Sequence, residues 1–293
     1  MGRSAGSPPF PPVLALVVGV LAASTASPII RLAQEEVNSL AIAAWRLTLA
    51  SLILAPITLT TRRDELRALR REDWLLMVGS GVLLAVHFAT WISSLAYTSV
   101  AASVVLVSTS PLFVGLGSYL LLKERLSGWL VAGLIVATAG SVIIGLDALG
   151  EGTHRMTGDL LALAGAISVA GYFLVGRRLR ARLSLLAYVF PVYSVAAVTL
   201  MAVAALARIP LSGYPPIHWL WLLLLALGPQ ITGHSSLNWA LRHLPATYVT
   251  LAVLGEPIGS SILAWIILRE VPSVLTLVGG AVVLAGIAVA SRE

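Results

Sequence analysis

The chain has 293 residues, of which 58% are apolar and only 11% charged, with a mean hydropathy of +0.94. Water-soluble domains carry about a quarter charged residues, so this balance excludes a soluble fold and points to lipid as the solvent. The net charge of +6 sits in arginines of short loops, a membrane-orientation pattern rather than a nucleic-acid surface, and the absence of cysteine excludes disulfides and thiolate metal sites.

In chain order, residues 1–12 form a short, proline-rich polar lead, expected to be disordered and cytoplasmic. The first apolar run, 13–33, invites reading as a signal peptide, with small residues from Ala23 to Ser27 for cleavage. Against that, only Arg3 precedes it, and an internal run, Leu160–Val175, is its counterpart, so it is read as a retained span. Further spans follow at 38–59, 74–96, 100–122 and 127–146, then at 158–176, 184–206, 217–240, 246–268 and 272–290. Each approaches the ~20 residues that cross a hydrocarbon core. The runs are continuous rather than alternating, which argues against a transmembrane barrel. The expected fold is all-α, with ten transmembrane helices.

The second half repeats the first. A shift of 146 residues pairs Pro111 with Pro257, Glu124 with Glu270, Gly133 with Gly279 and Gly140 with Gly286, and also Gly19 with Gly165 and Arg31 with Arg177. The expected units are 13–146 and 158–293, joined by a polar loop at 147–157. With five spans per unit, an odd number, the second copy must insert upside down. Placing both termini in the cytoplasm puts fourteen basic residues inside and four (Arg31, Arg155, Arg208, Arg269) outside, leaving Arg46 within a span. Inverted repeats suit alternating access about a pseudo-two-fold axis.

Pro111, Glu124 and Ala139-Gly140, then Pro257, Glu270 and Ala285-Gly286, closely resemble the two EamA-type repeats of the drug/metabolite transporter superfamily. There each repeat has a mid-helix proline, an apolar run to an acidic residue, and small-residue packing ending in an Ala-Gly pair. Arg46 stands where the family commonly has an arginine, and Glu256-Pro257 matches a common pairing in the ninth helix. The chain is most similar to YddG-type aromatic amino acid exporters. The resemblance implies two inverted five-helix repeats in the inner (plasma) membrane and secondary export of small metabolites. Val192 at the echo of Arg46 departs from symmetry.

Polar groups inside lipid point to the site, since a charge at mid-bilayer costs about 3 kcal/mol or more. Glu256 lies roughly ten residues, about 15 Å, into its span. It is read either as a proton carrier or ammonium anchor, or as a neutral carboxyl bonded to the carbonyl that Pro257 leaves free. Arg46 either snorkels or pairs structurally, or meets a substrate carboxylate. His87, Trp91, Ser94 and Thr98 form one helical stripe flanked by Tyr97, expected to line a cavity. His234 and Asn238 repeat the idea beside Trp239, with Tyr172 and Tyr248 as further flat faces. An interfacial belt is the alternative for Trp239 and the assignment for Trp74, Trp219 and Trp221. The substrate-binding set is therefore His87, Trp91, Ser94, Tyr97, Tyr172, Asn238, Trp239, Tyr248 and Glu256, with Pro111 and Pro257 as gating hinges.

That lining suits a small amphipathic solute bearing a ring, foremost an amino acid, with a drug-like cation as the alternative. A sugar phosphate would call for clustered mid-membrane cations. An enzyme would need a nucleophile with its base, a metal motif or paired carboxylates, and none is patterned here. A channel is disfavoured by the paired kinks. No P-loop, cofactor motif or metal set is present, so the expected partners are a small solute and the bilayer, with no nucleic acid and a single chain sufficing.

Overall fold

Lipid supplies no hydrogen-bond partners, so a spanning chain must satisfy its backbone within each segment. The computed structural model describes residues 10–122, 127–149, 153–290 and 292, which form helices and connecting turns without a strand. The first span is α1 (Pro12–Ser24) with α2 (Ala26–Ala33), followed by α3 (Ser39–Thr61), the short α4 (Arg63–Arg67) and α5 (Arg71–Ser94). Then come α6 (Val100–Val107) with α7 (Ser110–Leu122), and α8 (Gly128–Leu149). The second half holds α9 (Thr153–Arg180), α10 (Leu185–Leu206), α11 (Pro216–Leu225), a π-helical segment (Ala226–His234) and α12 (Ser235–Ala240). It closes with α13 (Ala246–Ala252), α14 (Gly255–Leu268) and α15 (Val274–Ala290). Asn38, Ser99 and Ser184 cap the helices they precede, each accepting from a first-turn amide.

Among the described residues, seven helical segments are long and apolar enough to cross a membrane: Pro12–Ala33, Ser39–Thr61, Arg71–Ser94, Val100–Leu120, His154–Arg180, Leu185–Leu206 and Ala246–Leu268. The expected fifth and tenth spans are α8 and α15, whose apolar stretches Val131–Gly140 and Val274–Gly286 are shorter. The expected eighth is divided by the π segment, which contains Pro229. Proline has no N–H to donate, and its ring crowds the carbonyl one turn back. A wider turn relieves that crowding, and Thr232 Oγ1 donates five residues back to Leu227 O (2.9 Å). Residues 1–9 of the expected lead, and Lys123, Glu124 and Arg125, lie outside the described residues. The expected 147–157 loop is mostly helical, since α8 reaches Leu149 and α9 starts at Thr153.

The mid-span prolines end one helix and begin another. Pro28, Pro111 and Pro257 sit in the first turns of α2, α7 and α14, where a missing N–H costs least. The carbonyl that Pro28 leaves free, Ser24 O, accepts from Ser260 Oγ of α14 (3.0 Å).

Packing repeats with the sequence offset. α3 packs on α10 and α8 on α15, equivalent spans of the two halves; α5 on α9 mirrors α1 on the π segment and α12. Gly140 lies against the backbone of Gly279 and Val283, and Gly286 against that of Gly133 and Ala137. These contacts map onto each other by the same 146-residue shift. Side-chain bonds repeat too. Arg31 Nη1 donates to Leu95 O (2.5 Å) and Arg177 Nη1 to Leu241 O (2.6 Å). Gln34 Nε2 donates to Ile92 O (2.8 Å) and Arg180 Nε to Asn238 O (3.0 Å). The 24-residue α5 starts beside Arg182, which pairs with Asp73, and ends beside Arg31, so the two clamps stand at opposite ends of the bundle.

Candidate functional site

A cavity of about 40 Å³ lies where α1, α5, α9 and α12 meet the breaks in the fourth and ninth spans. Three pairs in its wall are equivalents under the 146-residue offset: Ala23 and Val169, Trp91 and Leu237, Val107 and Val253. A cavity bounded by equivalent residues of both halves lies on the pseudo-two-fold axis. Its volume is far below the roughly 300 Å³ at the low end of small-molecule pockets. A solute therefore needs the walls to part.

The chemistry in the wall is not symmetric. His87 answers Gly233, His234 answers Phe88, Glu256 answers Ser110 and Phe173 answers Ser27. His87 Nδ1 meets Gly165 O at 3.0 Å, and its ring stacks on Trp91 with centroids 5.7 Å apart. The His87 and His234 rings are 6.3 Å apart. Glu256 is 8% exposed, and its carboxyl forms no hydrogen bond with a described residue. The carbonyl one turn before Pro257, Val253 O, accepts from the backbone N–H of Glu256 (2.8 Å). The carboxyl is thus not needed there, and Glu256 lines the cavity.

Of the predicted binding residues, the fold gathers His87, Trp91 and Glu256 on this cavity. Tyr172 and Asn238 stand one layer behind it. Both are fully buried and bonded to each other, Asn238 Nδ2 also donates to His234 O (2.6 Å), and the Tyr172 ring is 6.4 Å from that of His234. Ser94 bonds Ser103 Oγ (2.6 Å) and ties α5 to α6. Three others lie elsewhere. Tyr97 is 45% exposed, stacks on His154, and borders a polar pocket of about 410 Å³ with Arg31, Arg155 and Glu270. Trp239 stacks on Phe10 (4.3 Å) beside His243, whose pKa partial burial holds below the ordinary histidine value. Tyr248 is 53% exposed in a groove against the outer face of α1. Pro111 and Pro257 are buried at the span breaks adjoining the cavity.

Sequence reasoning missed the surroundings of Arg46. Its side chain is 0% exposed, so it does not snorkel, and no carboxylate pairs with it among the described residues. Nε donates to Gln230 Oε1 (2.8 Å), and the guanidinium lies 4.3 Å from the Phe88 ring centroid. Gln230 belongs to the π segment, so the signal was Pro229 inside an apolar run. Arg180, counted as a loop arginine, is 1% exposed and donates to Asn238 O and Leu183 O. Among the described residues no group of three His, Asp or Glu side chains is placed to hold a metal ion.

Known proteins fit this geometry. The profile of the EamA-like transporter family matches residues 10–146 and again 156–292, two copies at the offset read from the sequence. The chain is 28% identical to the "Pseudopaline exporter CntI" of Pseudomonas aeruginosa over 77% of this chain and 78% of that protein. It is 27% identical to the "Probable terminal-alkyne amino-acid exporter" of Streptantibioticus cattleyicolor over 96% and 93%. It is 25% identical to the "Uncharacterized transporter YdfC" of Bacillus subtilis over 93% and 87%. A crystal structure matches with a TM-score of 0.70 at 22% identity, over 96% of this chain and 97% of that one, a likeness of fold. Duplicated repeats, apolar helices and the matched profile agree: the chain is a multi-pass membrane transporter of the EamA-like family, within the drug/metabolite transporter superfamily.

Proposed function

We propose that this protein exports amino acids, aromatic ones included, across the inner membrane by alternating access. On this reading it crosses the bilayer ten times with both termini in the cytoplasm, using α8, the divided eighth span and α15 besides the seven long segments. The observation that carries the proposal is the axial cavity, which Glu256 lines with Trp91, Phe173 and His87. An ammonium group is attracted both to a carboxylate and to aromatic faces, each worth on the order of 1 kcal/mol or more once desolvated. Placement on the pseudo-two-fold axis supports alternating access, because exchanging the halves' conformations opens one site to either side. Two relatives, one named a pseudopaline exporter and one a probable terminal-alkyne amino-acid exporter, support export of a small metabolite, amino acids among them. Pro111 and Pro257, at breaks bordering the cavity, are proposed as the hinges.

The second reading, export of a drug-like cation, rests on the same Glu256 and aromatic wall. Purified protein in liposomes loaded with tryptophan, threonine, a sugar phosphate or a lipophilic cation separates the two. Release of the amino acids is the expected result. Release of the cation alone refutes the amino acid reading.

A further inference from the structure

The cavity supplies an acid for an ammonium group, and the cluster behind it supplies the opposite. Arg46 Nη1 is buried without a hydrogen-bond partner, and Gln230 Nε2, beside the Tyr193 hydroxyl, makes no hydrogen bond of ordinary geometry; both residues are 0% exposed. His234 Nδ1, on the cavity wall, is also unpartnered. Guanidinium and amide nitrogens only donate, so each of these nitrogens asks for an acceptor. A buried charge without an ion-pair contact is costly; Glu256 is a nearby opposite charge but makes no such contact, and the frame does not need this guanidinium. At the equivalent place in the other half stands Val192, equally buried, and the equivalent of Gln230 is Leu84. The guanidinium is nonetheless held in a fixed pose, by Gln230 Oε1 at 2.8 Å and by the face of Phe88 at 4.3 Å. Phe88, under the guanidinium, touches the cavity-lining His234, their rings 5.2 Å apart.

We propose that Arg46, positioned by Gln230, binds the carboxylate of the transported solute, which reaches it when the Phe88–His234 contact parts. The inference rests on the amino acid reading and deepens it. The solute is an α-amino acid held at both ends, ammonium towards Glu256 and carboxylate on Arg46 with the Gln230 amide. Widening is needed in any case for a cavity of about 40 Å³. Separation along the Phe88–His234 contact joins the Arg46 and Gln230 donors to the space that Glu256 already lines. The planar fork of arginine matches two carboxylate oxygens, which an ammonium head cannot do.

The test compares three solutes in liposomes: tryptophan, tryptamine without the carboxylate, and indole-3-propionate without the ammonium. Fluxes are normalised to inserted protein. In the wild type, tryptophan outruns tryptamine, and Arg46→Gln lowers the tryptophan-to-tryptamine ratio about a hundredfold. Arg46→Lys, charged but not forked, falls between. If Arg46→Gln does not reach the membrane, Arg46→Lys and Gln230→Met carry the test, each expected to lower the ratio about tenfold. An unchanged ratio in these variants, with tryptophan still carried, overturns the inference and leaves the amino acid reading standing. A wild type carrying indole-3-propionate but not tryptophan refutes the amino acid reading and retains the carboxylate site. A wild type carrying tryptamine alone, or none of the three, overturns both.

Discussion

Replacing Gly140 or Gly286 with alanine tests whether the two halves are joined as the symmetry requires. A Cβ on Gly140 falls 2.6 Å from Val283 N and 2.7 Å from Gly279 O; one on Gly286 falls 2.5 Å from Ala137 N and 2.8 Å from Gly133 O. These neighbours are backbone, so no rotamer change relieves the clash, and α8 and α15 must move apart. Overpacking of this kind costs about 1–3 kcal/mol, while the glycine-to-alanine gain in helix propensity returns up to about 1 kcal/mol. Each variant is thus expected to lose about 1–2 kcal/mol, a fall in Tm of about 2–8 °C. Detergent-purified protein, heated and followed by the main peak on size exclusion, gives the readout. Gly79→Ala and Gly128→Ala are the controls, because nothing lies within 4 Å of a Cβ at either position. The double variant should lose less than the two single losses combined, since helices already parted accommodate the second methyl at lower cost. If Gly140→Ala and Gly286→Ala melt no lower than the controls, the close approach of α8 and α15 is wrong.

Four further outcomes are expected. Glu270 Oε1 accepts from Val100 N (2.5 Å) and faces Arg31 (3.8 Å). Glu270→Gln removes about 1–2 kcal/mol from this end of the bundle, and a cysteine replacing the buried Ser108 should react about tenfold faster with a reagent added on that side. Ser260→Ala removes the donor to Ser24 O and should cost about 1 kcal/mol, read as a lower Tm; an unchanged Tm means that water takes its place. Cysteines at the exposed Glu36 and Arg67 should be labelled from outside and from the cytoplasm respectively, and the reverse pattern would invert the topology. Pro111→Ala and Pro257→Ala restore an N–H that can bridge the break one turn back. Each should slow transport in folded, inserted protein, whereas full rates in both and in the double variant would reduce the prolines to packing.

What the sequence made legible is what lipid and duplication force. Apolar runs had to become helices, and the 146-residue offset paired residues such as Gly140 and Gly286, or Arg31 and Arg177, which then make matching contacts in the two halves. The stripe on α5 was readable because helical spacing puts His87 and Trp91 on one face, and both reach the cavity. Tyr97 was placed beside it as a flank of that stripe, and Tyr248 on residue type alone. Spacing says which residues share a helix face, but not how far along the axis the cavity extends or how the helix turns toward its neighbours. Both tyrosines come out half-exposed at the margin. Arg180 and Arg177 were read as loop charges for a related reason. Their side chains reach back to carbonyls at the end of another span, a tertiary contact that composition cannot reveal. Gln230 was missed because a helix of 3.6 residues per turn turns it differently from the π segment that carries it.

On the proposed amino acid reading, the division of labour between the halves follows from the solute. A site on a two-fold axis, if built from identical residues, offers two equal ends, and two guanidinium groups around one small cavity would repel each other at low dielectric. A zwitterion has unlike ends and needs one acid and one base. The frame can therefore stay paired, as it does at Ala23 and Val169 or Val107 and Val253, while the chemistry cannot. Arg46 stands against Val192, Gln230 against Leu84, Glu256 against Ser110, and His234 against Phe88. In the last pair the two residues touch, rings 5.2 Å apart, at the contact that has to open for carboxylate and guanidinium to meet. Exchanging the pair by Phe88→His with His234→Phe keeps both side-chain types at the axis but leaves the Phe88 position, over Arg46, with an imidazole that can itself be charged. If the ring at that position serves only to fill space, the exchanged protein should transport as well as the wild type. If it holds a cation ready for a carboxylate, the exchanged protein should keep its fold and lose its preference for tryptophan over tryptamine, an asymmetry that packing alone does not produce.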